Sequence, residues 1–184
     1  MGWILLILGV ALWWAAHLFK RLMPETRAAM GDKGKGLVAV ALVLSIVLMV
    51  IGYQRTPYVH LWGHPSFFVH LNNLLVLIAI WMMSPAPKRG RLMNGMRHPM
   101  LGGVKLWAFA HLLVNGDVAS LILFGGLLAW AVVEVIVINK SEPAWEGREP
   151  GSYRFDAMTF AGSVVLLGVI GYIHAWLGVW PFGG

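Results

Sequence analysis

The segment MNGMRHPMLGGVKLWAFAHLLVNGD, Met93 to Asp117, decides how the whole chain is read. From Pro99 to Val114 it carries one formal charge, Lys105, and it stops at Asn115-Gly116-Asp117. Proline is preorganised for the first turn of a helix, where its missing N–H is not needed. At the far end, Gly116 can take the left-handed conformation that closes a helix, and Asp117 can accept the first N–H groups of the next one. The segment therefore predicts an apolar helix that turns back tightly, as an antiparallel hairpin, on the apolar run beginning at Val118. Two histidines and a lysine remain to be explained.

The rest of the chain has the same character. Of its 184 residues 59% are hydrophobic and only 12% charged, against about 25% charged in soluble domains. Mean hydropathy is +0.73. Ten tryptophans and twenty-two glycines fit a bilayer, where indoles collect at the interfaces and glycine is common within spans. With no cysteine there is no disulfide framework, thiolate metal site, covalent haem attachment or ordinary iron–sulfur cluster.

Apolar runs lie at Trp3–Phe19, Leu37–Tyr53, Val69–Met83, Pro99–Val114, Val118–Ile138 and Met158–Leu177. Each approaches the roughly 20 residues that cross a hydrocarbon core, the third and fourth only with help from their flanks. Lys20 and Arg21 follow the first run instead of preceding it, which predicts a true first helix and not a cleaved leader. Twelve of the fourteen basic residues fall in the connections after the first, third and fifth runs. The expected fold is all-α, an integral membrane bundle of six transmembrane helices forming a single domain over residues 1–184. Both termini are then on the outer side of a bacterial cytoplasmic membrane. The charge of +6 is read as topology, with no nucleic-acid partner. The polar stretch KSEPAWEGREPGSYRFD, Lys140 to Asp156, is read as a solvated loop.

Ionisable side chains at membrane depth are costly and mark candidate sites. They are His17, Lys105, His111, Glu134 and, nearer the outer face, His70 and His174. Lys105 can snorkel to the headgroups. Glu134 can pair with it or orient a histidine through Nδ1–H. A lone membrane histidine is usually an interhelical hydrogen-bonder, but several on different spans favour a bound metal or haem. His17 shares a helix face with Trp13, Trp14, Lys20 and Arg21, which combines a ligand, flat packing and cations suited to haem propionates. His111 shares its face with Trp107 and Ala108, and alanine is small enough to admit a flat ring. Counted from helix midpoints, His17 and His111 differ in depth by roughly 13 Å, whereas His70 and His174 lie at similar depth. Spacing alone leaves the pairing open.

Arg97 and His98 beside the free N–H groups after Pro99 form either an anion site or a plain helix start. Gly102 and Gly103 let a ligand or another backbone come close. His60 and His64 are spaced like a helical metal pair, but Pro65 and the absence of a nearby carboxylate argue against zinc.

The elements AAHLFKRLMPETR, GKGLVAVALVLSIVLMVIGY and RHPMLGGVKLWAFAHLLVNGD resemble the NnrU family of bacterial membrane proteins and, more distantly, the 15-cis-ζ-carotene isomerases. The isomerase resemblance implies haem b held between two histidines, at the positions occupied here by His17 and by His111, thirteen residues after His98. It implies redox or isomerase-like chemistry on a hydrophobic polyene. The bacterial branch implies a role in denitrification, with nitric oxide as a possible ligand. Ala108 or Phe109 stands where the plant isomerases carry a cysteine. Arg97-His98-Pro99 with Gly103 also resembles S-adenosylmethionine-dependent membrane methyltransferases of the isoprenylcysteine and phospholipid type, although Leu101 and the scattered Glu142, Glu146 and Glu149 depart from their pattern. A haem sensor or assembly factor without enzymatic activity is the remaining alternative.

Overall fold

A computed structural model describes residues 1–183. Each apolar run is helical. The elements are α1 (Gly2–Leu22), α2 (Pro24–Ala29), α3 (Gly31–Arg55), α4 (Phe67–Met83), α5 (Ala86–Arg89), α6 (Pro99–Val114), α7 (Val118–Ser120), a π-helical turn (Leu121–Gly125), α8 (Gly126–Ser141) and α9 (Tyr153–Trp176). The helix α7, the π turn and α8 form one continuous span, Val118–Ser141. No extended strand occurs among the described residues, only an isolated antiparallel bridge between His60 and Asp117.

Four helices are long and apolar enough to cross a membrane: α1, α3, Val118–Ser141 and α9, of 21 to 25 residues. The 17 residues of α4 and 16 of α6 rise only about 25 Å, short of a ~30 Å hydrocarbon core. The packing is that of a protein whose solvent is lipid. Valines, leucines and isoleucines such as Val40, Val43 and Ile46 on α3, and Val164, Val165 and Val169 on α9, face outward, while Ser45 and Ser163 are buried. Outward apolar faces of this kind suit contact with a bilayer.

The chain gathers into two compact units, residues Met1–Trp62 with Gly116–Pro143, and Gly63–Asn115 with the chain from Ala144 on. In the first, α1 and α3 run antiparallel at close range. A Cβ on Gly2 would strike the Arg55 carbonyl, one on Gly9 would strike Met49, and one on Gly52 would strike Leu6. Small residues at such crossings let backbones approach, which replaces the missing hydrophobic drive between helices in lipid. The reversal from α2 to α3 is made at Gly31, whose φ of 53° is in the left-handed region. The helix α8 lies parallel to α1: Val10 covers Gly126, and the Trp14 indole donates to the Gly126 carbonyl beside the π turn (3.0 Å).

In the second unit α4 is central. Ala79, Met82 and Met83 cover Gly102 and Gly103 of α6, and Val76 and Ile80 pack with Ala110, Trp107, Leu167 and Ile170. The Trp81 indole donates to Thr159 of α9 (3.1 Å).

Two sequence expectations change here. Gly116 does not take the left-handed conformation. Its carbonyl accepts from Leu61 and Trp62 (2.8 and 3.1 Å), and its missing side chain makes room for the Trp62 backbone. The segment from Lys140 to Asp156 is also not simply solvated, because its later part is docked. Arg148 donates to the Met96 carbonyl (2.8 Å) and covers the Trp145 ring, Asn94 donates to the Arg148 carbonyl (3.1 Å), and Gly151 donates to the Gly90 carbonyl (3.0 Å). Asp156, 2% exposed, accepts the Arg91 and Leu92 N–H groups (2.7 and 3.1 Å).

Candidate functional site

His17 sits on the last turns of α1. Its Nδ1 is 3.0 Å from the Trp13 carbonyl. A carbonyl oxygen can only accept, so Nδ1 carries a proton, and in the neutral ring this leaves the lone pair on Nε2 for a metal. The ring lies between two indoles, with centroids 4.2 Å from Trp13 and 4.4 Å from Trp130. Trp13 and Trp130 meet edge to face at 5.3 Å. One turn beyond Trp130, Glu134 is 8% exposed, with Arg21 as a neighbouring positive charge.

The surroundings of His17 hold unsatisfied polar groups. Trp13 Nε1, Trp130 Nε1 and Glu134 Oε2 are buried and have no hydrogen-bond partner. Buried polar atoms normally find partners, so a native structure that leaves three near one histidine needs a reason, and a bound group or ordered water supplies one. The sequence offered Glu134 as the group that orients a histidine. For His17 the Trp13 carbonyl does this instead.

In the second unit α6 repeats the device. His111 Nδ1 is 2.9 Å from the Trp107 carbonyl, and the two rings are 4.9 Å apart. Nδ1 is again the donor to a main-chain carbonyl. The local sequences are W-W-A-A-H from Trp13 and W-A-F-A-H from Trp107, a shared W-x-x-A-H that places an indole one helical turn before each imidazole. Ala16 and Ala110, immediately before the histidines, are buried, and Ala108 is completely so. His174 makes the same backbone bond, to Ile170 (2.8 Å), without an indole. His70 is exposed.

The other candidates divide. Lys20 is exposed on the last turn of α1, and Arg21 is committed to Glu142 (2.7 Å). His98 occupies the position before Pro99, and its carbonyl accepts from Gly102 (2.9 Å). The Arg97 carbonyl accepts from Arg148 (3.5 Å). Gly102 and Gly103 serve the approach of α4, the second of the two roles the sequence allowed them. His60 is extended and bonded to the Tyr58 hydroxyl (3.2 Å), and His64 to the Pro65 carbonyl (3.2 Å). No group of three His, Asp or Glu side chains is placed to hold a cation among the described residues.

Two features were not foreseen. Trp130 closes the second face of His17, and its only mark in the sequence is its position one turn before Glu134. The W-x-x-A-H recurrence was legible and marks both histidines.

Fold and site define an all-helical protein of membrane type with two indole-backed histidines. The model of the NnrU protein family matches residues 5–181, through both units, and the chain belongs to that family. No curated protein and no solved structure matches it.

Proposed function

We propose that this NnrU protein binds haem b through His17 and His111, as a six-span, single-domain protein of the bacterial cytoplasmic membrane with both termini outside. The observation that carries the reading is the repeated Trp–His device. In each unit a main-chain carbonyl fixes the Nδ1–H tautomer, which prepares Nε2 as a ligand. The donor set suits a haem better than a bare cation, since a porphyrin supplies four nitrogens of its own and asks the protein only for axial ligands. The unpartnered Trp13 and Trp130 N–H groups add donors for a bound group. Trp13, Trp107 and Ala108 would give flat packing, and Lys20, Arg21, Arg97 and His98 would be the polar residues toward the propionates. Of these Arg21 already has a carboxylate partner, so Lys20 is the cation of that pair still open to a new one.

When bound, the group supplies one-electron chemistry, or a coordination position for nitric oxide or a polyene. The chain's own part is to hold two neutral imidazoles in a water-poor setting. Redox or isomerase-like function linked to denitrification is the reading that family membership and the proposed ligand set support.

An absorption spectrum of the detergent-purified protein tests this. A Soret band lost in His17→Ala and in His111→Ala, and kept in His70→Ala and His174→Ala, is the expected result. A band that survives both of the first two substitutions refutes the ligand pair. A colourless preparation that binds S-adenosylmethionine replaces haem by methyl transfer. Adding nitric oxide or carotenoid isomers to the ferrous form separates a sensor from an isomerase.

A further inference from the structure

The second unit carries an open cleft of about 510 Å³ between α4 and α9, lined by Ile80, Met83, Pro85, Gly162, Leu166 and Ile170 together with three hydroxyl residues. The hydroxyls offer a ligand little. Ser84 donates to the Trp81 carbonyl (2.6 Å) and accepts the Ala86 N–H (3.1 Å). Thr159 donates to the Phe155 carbonyl (2.9 Å) and accepts the Trp81 indole (3.1 Å), and Ser163 donates to the Thr159 carbonyl (2.8 Å). With these groups satisfied internally, the cleft selects an apolar occupant. Its length along α9, from Thr159 to Ile170, is roughly 16 Å at 1.5 Å per residue. That is about half of a ~30 Å hydrocarbon core, the depth reached by an acyl chain of one leaflet.

One end of the cleft is basic. Directly after Pro85, α5 carries Lys88 and Arg89, both exposed. The end of α5 is tied to the start of α9: Ser152 donates to the Arg89 carbonyl (3.4 Å), and the Arg91 guanidinium lies 5.2 Å from the centre of the Tyr153 ring. Arg154, also exposed, follows Tyr153, so the two segments that meet at this end carry four cations between them. The acidic residues of these segments are Asp156, buried with one oxygen held by the Arg91 and Leu92 N–H groups, and the exposed Glu149. A positive excess remains at the mouth of an acyl-sized cleft.

We propose that this cleft is a binding site for an anionic phospholipid. One acyl chain lies along α9 over Gly162, and the headgroup phosphate sits against Lys88, Arg89 and Arg154. Basic pockets at the ends of membrane helices recognise such headgroups through surface electrostatics. The site is independent of the haem reading.

Gly162 allows a sharp test, because no atom lies within 4 Å of a Cβ built on it. Gly162→Leu fills the cleft without striking the backbone. Gly168 is equally open on the same helix and lies outside the cleft, so Gly168→Leu is the control. Native mass spectrometry of the full chain in mild detergent, titrated with phosphatidylglycerol or with phosphatidylcholine of the same acyl chains, gives the readout. The expected result is one phosphatidylglycerol retained per chain in preference to phosphatidylcholine, kept in Gly168→Leu and lost in Gly162→Leu. Replacing Lys88 and Arg89 by glutamine, which leaves the fold untouched at two exposed positions, weakens phosphatidylglycerol by roughly thirtyfold, about fivefold per charge. Equal retention by Gly162→Leu and the unmodified chain overturns the proposal. So does phosphatidylcholine binding as tightly as phosphatidylglycerol, or a glutamine pair without effect.

Discussion

The first span after the opening segment is anchored by a short chain of hydroxyls whose disruption has a calculable size. Asp117, 6% exposed, accepts the Ser120 N–H at 3.0 Å and the Ser120 hydroxyl at 2.5 Å. An ionised carboxylate only accepts, so Ser120 must donate to it, and the Tyr53 hydroxyl, 2.8 Å from Ser120 Oγ, must in turn donate to Ser120. Asp117→Ala removes an N-cap worth about 1 kcal/mol and strands a buried hydroxyl donor at a further cost of about 1–3 kcal/mol. The sum is roughly 2–4 kcal/mol, a fall in Tm of roughly 4–16 °C for a chain of this size. Asp117→Asn keeps a good cap. Its amide can donate to Ser120 and reverse the chain onto Tyr53, so the loss should stay below about 1 kcal/mol. Tyr53→Phe should cost about 1 kcal/mol alone and measurably less in the Asp117→Ala background. Reversible unfolding in mixed micelles measures all four variants. If alanine and asparagine at 117 are indistinguishable, or if Tyr53→Phe costs the same in both backgrounds, the hydroxyl chain is not what holds this helix start.

Two other perturbations separate crowded from open positions. Gly52→Ala would push a methyl group into the Leu6 backbone and should destabilise by about 1–3 kcal/mol, whereas Gly36→Ala on the same helix meets nothing and should stabilise by about 0.5–1 kcal/mol in the same unfolding assay. Arg148→Lys cannot reproduce the donation to the Met96 and Arg97 carbonyls; a loss of about 1.5–3 kcal/mol in local stability should speed amide exchange between Met93 and Arg97 roughly ten- to hundredfold.

What the sequence made legible was whatever is written in local periodicity. The run from Pro99 to Val114 became α6 without a change of boundary, because proline fixes the start and the apolar run fixes the length. The other runs fell on the right helices, each short at one end or both, and the last overran the end of α9 by one residue. Helical hydrogen bonding does not stop where hydropathy does, so α3 begins at Gly31 and α9 at Tyr153, inside polar sequence. The short α2 and α5 lie wholly in such sequence and were missed. Gly116 was misread because its smallness serves the passing Trp62 backbone, a distant residue that local turn rules do not contain. Arg148 and Asp156 looked like loop charges for the same reason: their partners are main-chain groups some 50 to 65 residues away. At the candidate site the histidines and their preceding tryptophans were visible by spacing, while Trp130 was not, since nothing in an apolar span distinguishes a tryptophan facing an imidazole from one facing lipid.

The order in which the chain visits its two units bears on biogenesis. The path leaves the first unit at Trp62, returns at Gly116 and leaves again after Pro143. During synthesis α1 and α3 therefore emerge long before the helix that supplies Trp130, and the surface around His17 must wait, incomplete, while more than fifty residues of the other unit are made. Neither unit can be obtained by cutting the gene once. If the proposed haem needs both indoles of the first unit, its loading must follow the synthesis of α8, late in the life of the nascent protein.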